Sequence, residues 1–169
     1  MEENQDKNLE FKNKLIIFYQ KNKLTIYSIL SLIIITIFII FFLQINKKKE
    51  NILVSEKYIE SGIYLSVGQN EKGKQLLKDI IFDKNNFYSV LALNVILEKN
   101  LETNKDEIIK YFKVIEKLKL SKEQKDLVKF KKALYLLKMS DLEEGNNLLE
   151  QLSNSESNLK KLADEILNK

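Results

Sequence analysis

Between Leu24 and Ile45 the chain carries no charge, no Pro and no Gly, and lysines flank the stretch on both sides. As a helix, residues 24–45 would run roughly 33 Å, enough to cross a hydrocarbon core of about 30 Å. A helix also satisfies its backbone donors and acceptors internally, as lipid demands. The core helix of a soluble domain would show a polar face, and this stretch has none. A cleaved leader would be shorter and would end in small residues, whereas this one exits through Leu43-Gln44-Ile45-Asn46-Lys47-Lys48-Lys49. The pattern predicts an uncleaved transmembrane helix over 24–45. Ahead of it, residues 1–8 are polar and are expected to be disordered. Leu9, Phe11, Leu15, Ile16 and Phe18 then alternate with Lys12 and Lys14. That pattern suits a segment lying in the membrane interface better than an extension of the span.

After Lys49 the apolar positions keep a helical period. Gly73, Leu76, Leu77, Ile80 and Ile81 follow the i, i+3, i+4, i+7, i+8 template, as do Tyr88, Leu91, Ala92, Val95 and Ile96, and Leu159, Leu162, Ala163, Ile166 and Leu167. Further stripes run through Ile108, Phe112 and Ile115, through Leu127, Phe130, Leu134 and Leu137, and through Leu142, Gly145, Leu149 and Leu152. No segment alternates like a strand, so the fold class is all-α. Breaks fall at 67–70, 83–86, 100–105, 119–121, 139–141 and 153–157. Gly68 suits a left-handed helix end, and Ser121 with Gln124 forms a capping box. Short loops make consecutive helices antiparallel.

These hairpins repeat. Gly73 and Gly145 each lie 12 residues after a small residue, Ser61 and Ala133, and four before a Leu, Leu77 and Leu149. The two sets are 72 residues apart, leaving room for one intermediate unit of about 36, near the 34-residue tetratricopeptide period. Ala92, Ile108, Phe112 and Ile115 fill that unit loosely. The expected organisation is a tail (1–23), a span (24–45) and a helical-repeat domain (46–169) of three helix pairs plus a seventh, capping helix.

Charge changes the picture only when it is divided along the chain. The net +4 comes from +1 in residues 1–23 and +3 in Lys47–Lys49, and residues 50–169 balance at 20 Lys against 20 Asp and Glu. The positive excess therefore flanks the span, where it suits anionic headgroups. With no Arg and a neutral domain, nucleic-acid readout is excluded. Lysine counts on the two sides of the span are too close to fix its orientation. The absence of Cys and His removes disulfides, thiol nucleophiles, imidazole bases and nearly every zinc or haem site. The acid pairs Glu143/Glu144, Glu102/Asp106 and Asp106/Glu107 sit among lysines and read as solvated surface rather than acid–base sets. Four scattered glycines make no phosphate loop. No enzyme, cofactor, metal or small-molecule substrate is expected.

Asn85-Asn86-Phe87-Tyr88-Ser89-Val90-Leu91-Ala92, Tyr64 followed by Gly68, and Asp141-Leu142-Glu143-Glu144-Gly145 resemble the repeat turns of a known family. It is the YfgM-type ancillary subunit of the bacterial Sec translocon, whose domain is tetratricopeptide-like. The likeness covers nearly the whole chain. It departs in having one helix after Asp141–Leu152 where a further pair belongs, and in lacking Arg and Trp. The resemblance implies a single-pass inner-membrane protein with a cytoplasmic N-terminus and periplasmic repeats, partnered by the translocon and by a membrane-anchored periplasmic chaperone. A scaffold for envelope assembly or cell division, without client binding, is the alternative. Aligning Ala133 with the small position of the repeat's first helix places Phe130, Leu134 and Leu137 on the concave face. The same register places Tyr58 and Leu65 there in the first pair, and Leu93 and Ile96 in the second. The expected binding site is an apolar groove lined by these seven residues.

Overall fold

The computed structural model describes the backbone of residues 2–168 and the side chains of 12–14 and 16–168. The chain divides into two compact units, Met1–Lys49 and Glu50–Lys169. The first helix, α1, is Glu2–Ser66. Disorder was expected of 1–8, but the backbone is helical from residue 2 onward; extending a formed helix costs little compared with starting one. Leu9, Phe11 and Leu15, part of the expected interfacial pattern, lie outside the described side chains. Within the first unit, Asn22 departs from helical geometry (φ −114°, ψ 15°), and its side-chain amide donates to the Phe18 carbonyl at 3.0 Å. This break stands directly before the apolar stretch. From Leu24 to Ile45 nearly every apolar side chain points outward and is exposed. The helix is long and apolar enough to cross a membrane, and none of that window is covered by the protein.

The second unit holds the end of α1 and six further helices: α2 (Asn70–Phe82), α3 (Tyr88–Glu98), α4 (Lys105–Glu116), α5 (Lys122–Lys138), α6 (Leu142–Ser153) and α7 (Lys160–Leu167). No strand occurs among the described residues. The helix ends follow from local chemistry. Ser121 and Gln124 form the expected capping box, and the Asn104 side chain accepts from the N–H groups of Asp106 (2.8 Å) and Glu107 (3.3 Å). Gly68 is left-handed (φ 75°), and Gln69 N–H reaches back to the Tyr64 carbonyl at 2.9 Å, closing α1. The same closure ends α3 at Asn100 (φ 49°, Leu101 N–H to the Ile96 carbonyl, 3.0 Å) and α5 at Ser140 (φ 61°, Asp141 N–H to the Leu136 carbonyl, 2.9 Å).

Two apolar clusters hold the unit. The larger is built on Leu77, Ile80 and Ile81 of α2, Leu93 and Ile96 of α3, and Ile108, Tyr111, Phe112 and Ile115 of α4. The smaller joins Ala133 of α5, Leu149 and Leu152 of α6, and Ala163 of α7. α5, α6 and α7 pack in succession, so α7 covers the leucines of α6 as a terminal cap. The expected pairing of α3 with α4 is the loose one. α3 packs chiefly on α2, where the buried Ser89 hydroxyl donates to the Ile80 carbonyl at 2.9 Å, and α4 is shared among α2, α3 and α5. The longer connection over 99–104 lets α4 settle in that position.

The spacing of the two glycine sets reappears as geometry. A Cβ placed on Gly73 would lie 2.6 Å from the Leu65 side chain and 3.1 Å from the Ser61 carbonyl. At Gly145 the same construction meets Leu137 at 2.7 Å and the Ala133 carbonyl at 3.3 Å. Gly73→Val is therefore expected to overpack the α1–α2 contact and cost about 2–3 kcal/mol. Gly62→Ala, with no described atom within 4 Å of the added carbon, should gain about 0.5–1 kcal/mol. Thermal melting of both variants, with shifts of opposite sign, is the check.

Candidate protein-binding surface

α3 is apolar on most of its circumference. Past Ser89 its polar side chains are Asn94 and Glu98, one turn apart on one face. That face meets α5: Lys131 Nζ donates to Asn94 Oδ1 at 2.7 Å and stands 3.9 Å from the Glu98 carboxylate. Beside this bridge is a trough of about 240 Å³. Leu97, Leu134 and Tyr135 give its apolar lining, and Lys131, Lys138, Glu98, Glu102 and Asn100 its polar one. Tyr135 is 8% exposed, and its hydroxyl has no hydrogen-bond partner among the described residues. Burial holds this phenol above its ordinary range, with Glu102 and Asp106 adding and Lys105 opposing, so the hydroxyl keeps its proton at neutral pH. The trough can seat one apolar side chain and offer either sign of charge to its neighbours.

Of the seven groove residues expected from the sequence, one lines this trough. Leu134 is 40% exposed and belongs to it. Leu93 and Ile96, at 2% and 0%, are core residues, which corrects the register on α3: the half-buried Leu97, one residue beyond Ile96, is the one that borders the trough. One step along a helix turns a side chain by about 100°, which is the whole of the error. Tyr58 is half-buried with its ring 5.7 Å from that of Tyr88, and Leu65 lies over Gly73. Phe130 and Leu137 pack on the smaller cluster. These six serve helix packing and form no continuous groove. Leu97 and Tyr135 were missed, although Asn94 and Glu98 marked the open face of α3.

The charged side chains mostly tie elements together. Lys105 and Asp141 pair at 2.7 Å, Glu107 stands between Lys78 (3.1 Å) and Lys110 (3.3 Å), and the buried Lys132 reaches Glu116 at 3.0 Å and Glu144 at 3.8 Å. The acid pairs noted in the sequence are thus spread over lysine contacts: Glu107 and Glu144 as above, and Glu102 at 4.0 Å from Lys74. Among the described residues no group of three His, Cys, Asp or Glu side chains could hold a metal ion.

The hydrogen bond from Lys105 holds the Asp141 carboxyl below its usual 3.8 and raises the Lys105 ammonium. Hydrogen bonds from Lys78 and Lys110 hold Glu107 below 4.5. A carboxylate whose folded pKa is depressed contributes stability above its unfolded value and loses it as pH falls through the folded one. Stability is therefore expected to be flat from about pH 6 to 8, where no His titrates, and to fall below about pH 4.5. Melting of residues 50–169 across pH 3–8 tests this, and Asp141→Asn should blunt the acid limb.

Compared with protein-family models, with curated proteins and with solved structures, the chain matches none.

Proposed function

We propose that this chain is a single-pass membrane protein whose helical unit, a tetratricopeptide-like stack, binds protein segments and carries out no catalysis. The observation that supports it most is the pairing of an uncovered apolar helix, able to span a bilayer, with a separate folded unit whose α3–α5 trough is lined by both apolar and charged side chains. The matched contacts of Gly73 and Gly145, 72 residues apart, favour the repeat reading. In this reading the protein is an accessory of the bacterial Sec translocon in the inner membrane, N-terminus cytoplasmic and repeats periplasmic. There it assists a membrane-anchored chaperone in meeting emerging chains. The span sets location and local concentration, and the trough supplies contact.

The test is affinity purification of the tagged full-length chain from gently solubilised native membranes, followed by mass spectrometry, for wild type and Leu134→Glu. Translocon subunits and a periplasmic chaperone, reduced by Leu134→Glu, are the expected result. Co-purification of division or outer-membrane assembly proteins instead would move the function to a scaffold. An unchanged profile in a folded Leu134→Glu variant would remove the trough from the account.

A further inference from the structure

The lysines at the start of α5 stand apart from the others. Residues 50–169 balance in charge, but 111–132 hold eight Lys against three acids, with acids in excess on either side. Lys122, Lys125 and Lys129 share one face of α5, at spacings of three and four. Elsewhere in the unit lysines reach carboxylates, as Lys57, Lys78, Lys105 and Lys132 do. These three do not. Lys122 donates to the Glu156 carbonyl at 2.7 Å and Lys129 to Gln151 Oε1 at 3.0 Å, while Lys125 has no partner among the described residues. Lys122 and Lys125 also occupy the first turn of α5, where the positive end of a helix disfavours cations. Neither ion pairing nor helix stability accounts for their charge. All three line a cleft of about 440 Å³ whose apolar residues, Leu120 and Val128, are recessed at 8% and 3% exposure. Glu116 and Asp126 complete it; Glu116 is held by Lys132 at 3.0 Å, which leaves the lysine row in excess.

We infer that this cleft is a docking site for an acidic, extended segment of a second protein. Charge complementarity carries the inference: three ammonium groups without carboxylate partners form a row, and a run of Glu or Asp supplies the missing charge. From Lys122 to Lys129 the row runs roughly 10 Å along the helix axis. In an extended polyproline-II segment, residues three apart lie on one side at roughly 9 Å, so carboxylates at that spacing meet both ends of the row. The recessed Leu120 and Val128 admit a small apolar side chain between them. An anionic bilayer fits less well, because no apolar side chain of the cleft projects to enter it and two carboxylates would face the headgroup phosphates. The cleft shares no residue with the α3–α5 trough, and it stands or falls independently of the trough and of the translocon reading.

The test is fluorescence anisotropy of a fluorescein-labelled peptide of Glu-Glu-Leu repeats, titrated with the full-length chain in phosphatidylcholine nanodiscs. Binding is expected for this peptide and not for its Gln-Gln-Leu counterpart. Lys125→Glu with Lys129→Glu should weaken it about tenfold or more, and the neutral Lys125→Gln alone by about threefold. Lys99→Glu with Lys161→Glu changes net charge equally at exposed positions outside the cleft and should alter affinity less than twofold. Melting followed by circular dichroism should show Lys125→Glu no less stable than wild type, since a carboxylate suits the first turn. At about 1 M salt, where the screening length is about 3 Å, most binding should vanish. No binding, or equal weakening by the two double variants, overturns the inference. Loss in Leu134→Glu but not in the double lysine variant would place the peptide in the trough and overturns the cleft alone. Sedimentation of the nanodisc-held chain with added phosphatidylglycerol vesicles, dependent on Lys125 and Lys129 and without peptide binding, would give the cleft to lipid and also overturns it.

Discussion

Removal of residues 1–49 is expected to move the protein from the alkali-resistant membrane pellet to the soluble fraction, with Glu50–Lys169 still folded. Sixteen of the residues from Leu24 to Ile45 are Leu, Ile or Phe. At about 0.3–0.6 kcal/mol each on an insertion scale, they favour the bilayer by roughly 5–10 kcal/mol. One lysine near the centre costs about 2.5–3.5 kcal/mol and leaves insertion favourable, whereas lysines at both Ile34 and Phe38 should nearly cancel it. Extraction at alkaline pH followed by immunoblotting reads the partition. Cooperative melting of the 50–169 fragment, followed by circular dichroism, reads the fold. A full-length chain found in the alkaline supernatant would contradict the anchor.

Within the helical unit the largest loss is expected from Phe112→Ala. Phe112 is fully buried on α4, its ring 6.2 Å from that of Tyr135 on α5, and its neighbour Tyr111 meets the Phe82 ring at 6.0 Å. α4 is shared among α2, α3 and α5, so a void there touches three helices at once. Phe→Ala in a core typically costs 3–5 kcal/mol, a large part of a domain stability of about 5–15 kcal/mol. The melting temperature should fall by about 10–20 °C. Leu134→Ala, removing a side chain that is 40% exposed, should shift it far less. Differential scanning calorimetry of the 50–169 fragment measures both, and a Phe112→Ala shift under about 5 °C would show that α4 is not the centre of the core.

The helices were legible because their boundaries are written in side chains. Ser121 with Gln124, Asn104 and Gly68 each announce a terminus, and amphipathic stripes such as Leu77–Ile80–Ile81 point at the core without ambiguity. The trough was not, because α3 is apolar nearly all round and its period cannot say which leucine borders it. Three of the four left-handed helix ends were equally silent: Lys84, Asn100 and Ser140 adopt the conformation that only Gly68 advertises. The second helix pair failed for a related reason. A break in the sequence shows that the chain turns, but which neighbour a helix then packs against is decided by volume and by contacts distant in sequence.

The two matched glycine contacts carry a consequence for how such a chain can change over time. Gly68 precedes Gly73 by five residues, and Ser140 precedes Gly145 by five. Each left-handed residue closes one helix and sets the next against a waiting leucine. Joining Gly68 directly to Asp141 would bring Leu65 over Gly145 through a connection of unchanged length. Length is in that sense adjustable in whole units: duplication or excision at these points alters how far the protein extends while the joints themselves stay as they are.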